Sequence, residues 1–133
     1  MTRLGDHPLN PILPAQDGDR ARAFYRDVLG LKLLSGPDQD PMAFDAAGTM
    51  IALSELTDRV PPPYPVVSFM VTGIEQLVDE LAEAGAEILP LGKGSFAGVE
   101  GVPRGRVMDY GPVKSVWIRD SEGNILALNE MVG

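Results

Sequence analysis

The run of residues from Asp17 to Leu31 reads DGDRARAFYRDVLGL and is the most informative part of the sequence. Its apolar side chains fall at Ala21, Phe24, Tyr25, Val28 and Leu29. This spacing places them along one side of a helix, which we predict from Asp19 to Leu29. Asp17 or Asp19 can cap the start of the helix, and Gly30 can adopt the left-handed conformation that ends it.

A second helix is predicted in the other half of the chain. The same spacing recurs at Ile74, Leu77, Val78, Leu81 and Ala82, and Gly85 supplies the helix end. Thr72 is followed three residues later by Glu75, which is the pattern of a capping box. Each helix is therefore expected to bury one apolar stripe.

Short strands bounded by turn residues surround the two helices. Apolar and alternating runs predict eight strands, at Leu9–Ala15, Leu31–Leu34, Met42–Asp45, Thr49–Glu55, Pro65–Val71, Ala86–Leu89, Val113–Arg119 and Asn124–Met131. Asp58–Pro65 contains three consecutive prolines and resembles a stiff linker. Leu91–Pro112 is rich in glycine and has no clear period, so we predict a long loop that is a candidate lid.

The predicted elements follow the order β-α-β-β-β twice, and a residue-level repeat supports this duplication. Gly48–Glu55 and Gly123–Glu130 share four of eight residues. The expected fold class is α+β, with two βαβββ modules in tandem that form a cupped, mostly antiparallel eight-stranded sheet with helices on its outer face. Residues 1–133 are read as a single domain, with module one at about 8–56, a linker at 57–64 and module two at about 65–131.

Composition excludes several classes of function. The chain has 133 residues, of which 44% are hydrophobic and 23% charged, as in ordinary globular domains. The net charge of −8 and the scattered acids argue against nucleic acid as a partner. The sequence contains no apolar run of the roughly 20 residues that a bilayer requires, and no membrane partner is expected. With no cysteine and no secretory signal, the expected location is cytoplasmic.

Two motifs together resemble the vicinal oxygen chelate superfamily, which includes glyoxalases, bleomycin resistance proteins and extradiol dioxygenases. The first motif is the Asp17–Leu31 run, with its Asp, Ala, Phe-Tyr and Leu-Gly positions. The second is Asp120-Ser121-Glu122-Gly123-Asn124, followed by Leu128 and Glu130, which resembles the family's Asp-Pro-Asp-Gly-Asn turn and strand. The resemblance extends from Leu9 to Glu130 and implies the family's fold rather than one activity.

Catalytic members of this superfamily hold a divalent metal with His, Glu or Gln at four strand positions. The resemblance places these positions at Asn10, Ala52, Val66 and Ala127, so the usual metal ligands are substituted. The only histidine, His7, is expected to lie on the surface of the N-terminal arm. We therefore expect no divalent metal and no other cofactor, and the catalytic residues, if any, are unknown.

Strand parity indicates which side chains line the expected cup, because alternate residues of a strand point to opposite faces. The candidate ligand-binding residues are Asn10, Met50, Ser54, Ser68, Met70, Ser115, Trp117, Arg119 and Asn129. This mixture of apolar groups, hydroxyls, amides, one indole and one guanidinium is typical of a small-molecule pocket. Ile51, Leu53, Val116, Ile118, Leu126 and Leu128 are expected to pack on the opposite face.

Several of these residues have a simpler interpretation. Trp117 is interpreted either as a ligand platform or as a packing residue, and Arg119 either binds ligand or pairs with a surface carboxylate. Glu55 and Glu130 are expected to be solvated at strand ends. Asp45 and Asp109 are the other acids considered as a general base.

Two functions from different classes follow from these observations. The first is a metal-free small-molecule-binding protein that sequesters an aromatic compound or antibiotic. The second is a vicinal oxygen chelate enzyme, such as a lyase, isomerase or dioxygenase-like protein, that uses non-metal residues or a relocated metal site. A third reading is a subunit or sensor domain with a vestigial cup. The expected partners are a small-molecule ligand and a second copy of the chain in a homodimer, which would cover the free sheet edges.

Overall fold

The first half of the chain forms a helix and a four-stranded sheet. The computed structural model describes residues 3–36, 38–90, 95–96 and 98–132, and the chain divides into two compact units, Met1–Arg59 and Val60–Gly133. After a 3-10 turn at Leu4–Asp6, unit one contains β1 (Ile12–Ala15), α1 (Gly18–Ala23), β2 (Lys32–Leu33), β3 (Met42–Ala46) and β4 (Thr49–Glu55). The strand order is β1-β4-β3-β2, in which β1 is parallel to β4 and the other pairs are antiparallel.

Unit two repeats this arrangement with additional short strands. Its elements are β5 (Pro65–Met70), α2 (Ile74–Glu83), β6 (Glu87–Leu89), β7 (Ser95–Phe96), β8 (Val99–Glu100), β9 (Val102–Arg104), β10 (Val107–Asp109), β11 (Val113–Arg119) and β12 (Ile125–Met131). The strand order is β5-β12-β11, and both β6 and β10 pair with β11. As in unit one, the first strand is parallel to the last.

The predicted α+β fold with two βαβββ modules is confirmed. In each unit the first strand pairs with the last, and the last pairs with the strand before it. The registers are also equivalent, because Ala52 pairs with Ile12 in unit one and Ala127 pairs with Ser68 in unit two. The sequence repeat that ends at Glu55 and Glu130 is therefore a repeat of three-dimensional position.

The predicted long loop at Leu91–Pro112 was wrong in part. Residues 91–94 and 97 lie outside the described residues, but the remainder of this segment contributes β8, β9, β10 and the strand β7 that pairs with β8. β9 and β10 form an antiparallel hairpin that extends the sheet from the edge of β11. These strands have two or three residues each, which is too short for a recognisable period in the sequence.

The helix in each unit packs on the sheet face predicted from strand parity. In unit one, the ring of Tyr25 lies 5.7 Å from that of Phe44, and Ile51 and Leu53 are buried on the same face. In unit two, α2 buries Ile74, Val78 and Leu81, and the sheet buries Val116, Ile118, Leu126 and Leu128. Removal of these side chains from water is the main source of stability in each unit.

The first helix begins and ends as predicted, although its second half is wider than an α-helix. Asp17 is the N-cap, and its side chain accepts a hydrogen bond from the Arg20 N–H at 3.1 Å. A turn of π-helix at Phe24–Val28 follows α1. Gly30 has φ 76°, a left-handed conformation that permits the chain to turn into β2.

The start of α2 differs from the prediction. The capping box was wrong, because the N-cap is Gly73, with φ 64°, and not Thr72. The carboxylate of Glu130 accepts hydrogen bonds from the N–H groups of Gly73 at 2.8 Å and Ile74 at 3.2 Å. Glu75 instead contacts Lys114, with 2.6 Å between Oε1 and Nζ. A residue from the last strand therefore caps this helix.

Neither helix within the described ranges is long and apolar enough to cross a membrane.

Candidate functional site

Each sheet has a face that its helix does not cover, which we call the open face. Residues paired directly across neighbouring strands share a face. In unit one, Phe44 and Ile51 are paired and lie on the side covered by the helix. Ala52 follows Ile51 directly and therefore points to the open face, together with its strand partners Ile12 and Ala43. The open face of unit one includes Ile12, Pro14, Ala43, Asp45, Met50, Ala52 and Ser54.

A cleft of about 680 Å³ lies on this side of unit one. It is lined by Leu34, Ser35, Gln39, Asp40, Pro41, Met42, Ala43, Met50 and Ala52. The lining comes from two sources, which are strands β3 and β4 and the connection between β2 and β3. The cleft brings together Met50, a predicted ligand-binding residue, and Ala52, a substituted metal-ligand position.

The polar side chains of this cleft are held by the backbone. The hydroxyl oxygen of Ser35 accepts from the Ala43 N–H at 3.0 Å, and the amide oxygen of Gln39 accepts from the Gly36 N–H at 2.7 Å. The carboxylate of Asp40 accepts from the Glu55 N–H at 3.0 Å. The bonds of Ser35 and Asp40 join these two residues to strands β3 and β4, and the Gln39 bond lies within the connection.

The other predicted residues of unit one lie beside the cleft lining. Asn10 precedes β1 and is exposed. In the amide orientation that satisfies its hydrogen bonds, the side-chain nitrogen of Asn10 donates to the carbonyl oxygens of Leu9 at 3.3 Å and Met50 at 3.2 Å. Ser54 follows Ala52 by two residues on the same face and is half-buried. His7 is exposed in the N-terminal arm, as predicted.

The open face of unit two carries the second set of predicted residues. Its members are Ser68, Met70, Ser115, Trp117, Arg119, Ala127 and Asn129, which are cross-strand neighbours. The side-chain nitrogen of Asn129 donates to the Ser68 hydroxyl at 2.7 Å, so the amide and the hydroxyl form one polar pair. Met70 is 67% exposed, which leaves an apolar side chain accessible beside that pair.

Trp117 and Arg119 lie on the third strand of this face. Trp117 is half-buried, and its cross-strand partners are Ala127 and Leu89. The Arg119 Nε donates to the Glu87 carboxylate at 3.3 Å, and both side chains are exposed. Arg119 thus has a carboxylate partner, while the indole has a free part of its surface.

Unit two also has a cleft of its own, with a volume of about 350 Å³. It is lined by Ile88, Leu89, Pro90, Pro103, Gly105, Arg106, Val107 and Met108. β6 and β10 pair with different parts of β11, and both strands contribute residues to the lining of this cleft. Its wall again comes from the connection between the second strand and the third strand of the module.

The four substituted metal-ligand positions are equivalent in pairs. Ala52 and Ala127 are both buried in the last strand of their units, at 7% and 5% exposure. Asn10 and Val66 each lie two residues before the strand partner of the respective alanine. Among the described residues, no group of three or more His, Asp or Glu side chains could hold a metal ion.

The two acids considered as general bases have structural partners. Asp45 accepts from the Gly48 N–H at 3.0 Å in the β3–β4 turn. Asp109 accepts from the Gly111 N–H at 2.8 Å and pairs with Arg104 at 2.9 Å, and these two contacts lower the pKa of its carboxyl. An acid that binds protons less readily than usual is a poor general base at neutral pH.

Glu55 and Glu130 have a role that sequence reasoning missed. Both were expected to be solvated at strand ends, and Glu55 is exposed. Its carboxylate also accepts a hydrogen bond from the Gly18 N–H at 2.9 Å, at the start of α1. Glu130 makes the equivalent contact to α2. Glu55 and Glu130 occupy equivalent positions in the sequence repeat, and this equivalence could have indicated that they have the same structural role. They position the helix on the far side of each sheet and do not face the open side.

Comparison with known proteins identifies the fold. A family profile described as bleomycin resistance protein-like N-terminal matches residues 8–44. No curated protein matches the chain.

Solved structures match nearly the whole chain. The fosfomycin resistance protein FosX from Listeria monocytogenes has a TM-score of 0.70 at 16% identity, over 95% of this chain and 93% of that chain. A glyoxalase/bleomycin resistance protein/dioxygenase from Alicyclobacillus acidocaldarius has a TM-score of 0.68 at 20% identity, over 99% and 96%. Lactoylglutathione lyase from Agrobacterium tumefaciens has a TM-score of 0.66 at 19% identity, over 96% of both chains.

TM-scores of this size over nearly the whole chain establish a shared fold, and identities of 20% or less leave the activity open. The family profile falls on unit one and includes the Asp17–Leu31 run that carries the sequence resemblance. The resemblance drawn from the two motifs is confirmed, and the chain has the fold of the vicinal oxygen chelate superfamily.

Proposed function

We propose that this protein binds a small organic molecule at its open faces, without a resident metal ion. The observation that carries the proposal is the position of Ala52. It lies in the wall of the 680 Å³ cleft, where the family resemblance places a carboxylate that ligates metal. A methyl group there supplies an apolar contact surface in place of a metal ligand.

The size and chemistry of the cleft favour a drug-sized ligand. Pockets for such molecules have volumes of about 300–1,000 Å³ and are mostly apolar with a few polar groups. Six of the nine described lining residues are apolar, and they include Met50, which is 38% exposed on the open face. Methionine side chains adapt to irregular shapes, so the cleft can accommodate a range of apolar bodies.

The open face of unit two favours a flat ligand with a few polar groups. Trp117 offers part of an indole surface, and a stacked aromatic ring gains about 0.5–1.5 kcal/mol beyond the burial of its area. The Ser68–Asn129 pair provides hydrogen-bonding groups next to Ala127. These properties suit an aromatic compound or antibiotic.

The similar proteins agree with an antibiotic as the ligand class. The family profile on residues 8–44 is named for bleomycin resistance, and FosX of Listeria monocytogenes is a fosfomycin resistance protein. We propose that this protein sequesters its ligand rather than converting it. The partners of Asp45 and Asp109 support this choice, since both carboxylates are engaged in turns.

The test is a thermal-shift screen of aromatic natural products and antibiotics against the wild type and three variants. A ligand at about 100 times its Kd adds roughly 2.7 kcal/mol to stability, which raises the melting temperature by several degrees. Ala52→Leu places a larger side chain in the wall of the cleft of unit one and should abolish the shift. Ala127→Leu makes the same change at the equivalent position of unit two, and Trp117→Ala removes the indole.

The outcomes separate binding from catalysis and from packing. Hits that shift Ala52→Leu, Ala127→Leu and Trp117→Ala as strongly as the wild type would show that neither open face binds them. Mass spectrometry of each hit after incubation with the protein should return the unchanged compound. A modified product would overturn sequestration in favour of an enzyme of the same fold.

A further inference from the structure

We propose that the cleft of unit one selects ligands that carry a positive charge, and that the carboxylate of Asp40 binds the cationic group. This inference rests on the proposed function, because it names the class of molecule that the same cleft accepts. It concerns a residue in the connection between β2 and β3, which lies outside the strand positions predicted from the sequence.

Asp40 is the one charged residue among the described residues that line the cleft. Its neighbours in the lining are apolar on one side, where Pro41, Met42 and Ala43 lead into β3. Asp40 is exposed, so a ligand in the cleft can approach its carboxylate from solvent. The arrangement fits a molecule with an apolar body and a cationic end.

The hydrogen bonds of the polar side chains in the lining also favour Asp40 as the group that binds a cation. The side-chain oxygens of Ser35 and Gln39 each already accept a backbone N–H. Asp40 accepts the Glu55 N–H through Oδ1, and no Lys or Arg in the described part of the chain pairs with it. An ionised carboxylate accepts several hydrogen bonds, so Oδ2 can receive an ammonium or guanidinium donor.

The surroundings of Asp40 add negative potential. A second cleft of about 200 Å³ shares Gln39, Asp40 and Met42 with the first, and its lining includes Asp19, Asp38, Glu55 and Arg22. The Arg22 guanidinium pairs with Asp19 at 2.9 Å, which leaves the remaining carboxylates in excess. A surplus of one sign of charge beside a cleft raises the local concentration of oppositely charged ligands.

The experiment uses two aromatic probes of nearly the same shape. Naphthalen-2-ylmethanamine carries an ammonium group at pH 7, and naphthalen-2-ylmethanol is neutral. Binding of both is measured by titration calorimetry at 50 mM and 300 mM salt, with the wild type and the variants Asp40→Asn, Asp58→Asn and Ala52→Leu. Asp40→Asn keeps an oxygen for the Glu55 N–H, and Asp58→Asn removes one exposed charge of unit one that lines neither cleft.

We expect the amine to bind the wild type about fivefold more tightly than the alcohol, as for one partly solvated charge-assisted hydrogen bond. Asp40→Asn should remove this preference and leave the affinity for the alcohol unchanged, and Asp58→Asn should retain the preference. Ala52→Leu should abolish binding of both probes, which assigns them to the cleft.

Three other outcomes would contradict the proposal. Equal affinities in the wild type, or a preference that persists in Asp40→Asn, overturn the selection of cations while small-molecule binding stands. Failure of both probes to bind the wild type overturns the cation selection and also counts against the proposed function. Binding that survives Ala52→Leu places the probes elsewhere and refutes the assignment to Asp40.

Discussion

The two units share a framework and differ in the contacts that hold it together. Each has its strands in the order first, last, third, second, and each uses a glutamate of the last strand to cap its helix. The turn before the last strand is different. In unit one it is short and exposed around Asp45, whereas in unit two it is built around the buried Asp120. We therefore expect equivalent positions of the two turns to contribute unequally to the free energy of unfolding.

The largest expected effect is at the turn of unit two. Asp120 is 5% exposed and accepts hydrogen bonds from the N–H groups of Glu122 and Asn124 and from the Asn124 side chain. Asp120→Ala leaves these buried donors without an acceptor and should reduce the free energy of unfolding by about 3 kcal/mol. Asp45→Ala removes one exposed hydrogen bond and should cost about 1 kcal/mol.

Urea unfolding at pH 7 measures both variants of the turn. Equal losses in Asp120→Ala and Asp45→Ala would show that burial of the turn in unit two makes no additional contribution to the free energy of unfolding. Asp120→Asn sharpens the test, because it retains the shape and an acceptor oxygen and should recover part of the loss.

The helix caps are expected to show the next largest difference. At α1, the side chains of Asp17 and Glu55 each accept one backbone N–H. At α2 the N-cap is a glycine, and Glu130 accepts two N–H groups alone. Glu130→Ala should therefore cost about 2 kcal/mol and Glu55→Ala about 1 kcal/mol.

The same unfolding measurement tests the caps, with amide exchange at Ile74 as a local readout. Exchange should accelerate in Glu130→Ala and remain slow in Glu55→Ala. A smaller loss for Glu130→Ala than for Glu55→Ala would show that two bonds from one carboxylate do not replace a separate N-cap side chain.

Acid should weaken unit two through two carboxyls with lowered pKa values, those of Glu75 and Asp109. The contact with Lys114 lowers the pKa of Glu75 below its ordinary 4.5, and the Gly111 N–H and Arg104 lower the pKa of Asp109 below 3.8. A carboxyl with a lowered pKa in the folded state contributes stability above its unfolded pKa, and this is lost as pH falls through the folded value. Stability should therefore decline below about pH 4.5.

Glu75→Gln removes one of these groups and should make the urea midpoint less dependent on pH between 5 and 3. Asp27→Asn is the matched variant in unit one, where Arg26 lowers the pKa of Asp27. The interpretation would be wrong if Glu75→Gln and the wild type lost stability equally steeply.

Metal ions are expected to have the smallest effect. The positions of the family's ligands hold Asn10 and Ala52 in one unit and Val66 and Ala127 in the other. Zn²⁺, Ni²⁺, Mn²⁺ or Fe²⁺ should change the melting temperature by less than about 1 °C, because a metal stabilises a fold only by binding its folded state. Stoichiometric metal that remains after dialysis against a chelator would refute this expectation.

Local pattern was sufficient for most of the framework. The bounds of β4 and β11 agree with the prediction, because their apolar alternation reports a buried face directly. The Asp17 cap of α1 was also predicted from local pattern, but the cap of α2 could not be read in this way. Glu130 lies 57 residues from Gly73, and a local Thr72–Glu75 pattern competed with it. Contacts at such separations depend on strand pairing, which a single sequence does not report.

The residues that the strands contribute to the candidate site could be predicted from the sequence, but those that the β2–β3 connection contributes could not. Met50 and Ala52 follow from the parity of β4. Asp40 lies in an irregular connection, where no period indicates the direction of a side chain. The short strands β9 and β10, which help to form the cleft of unit two, were missed for the same reason.

In both units the connection between the second and third strands forms a wall of the cleft. In unit two this connection also adds β9 and β10 to the sheet, but in both units none of its described residues takes part in the pairing of the first, last and third strands or in the glutamate cap. That connection runs from Leu33 to Met42 in unit one and from Leu89 to Val113 in unit two. The fold thus accepts large changes in length at this point. Libraries confined to residues 34–41 should retarget the protein to new compounds while its scaffold remains intact, which makes the segment a natural graft site for biosensors.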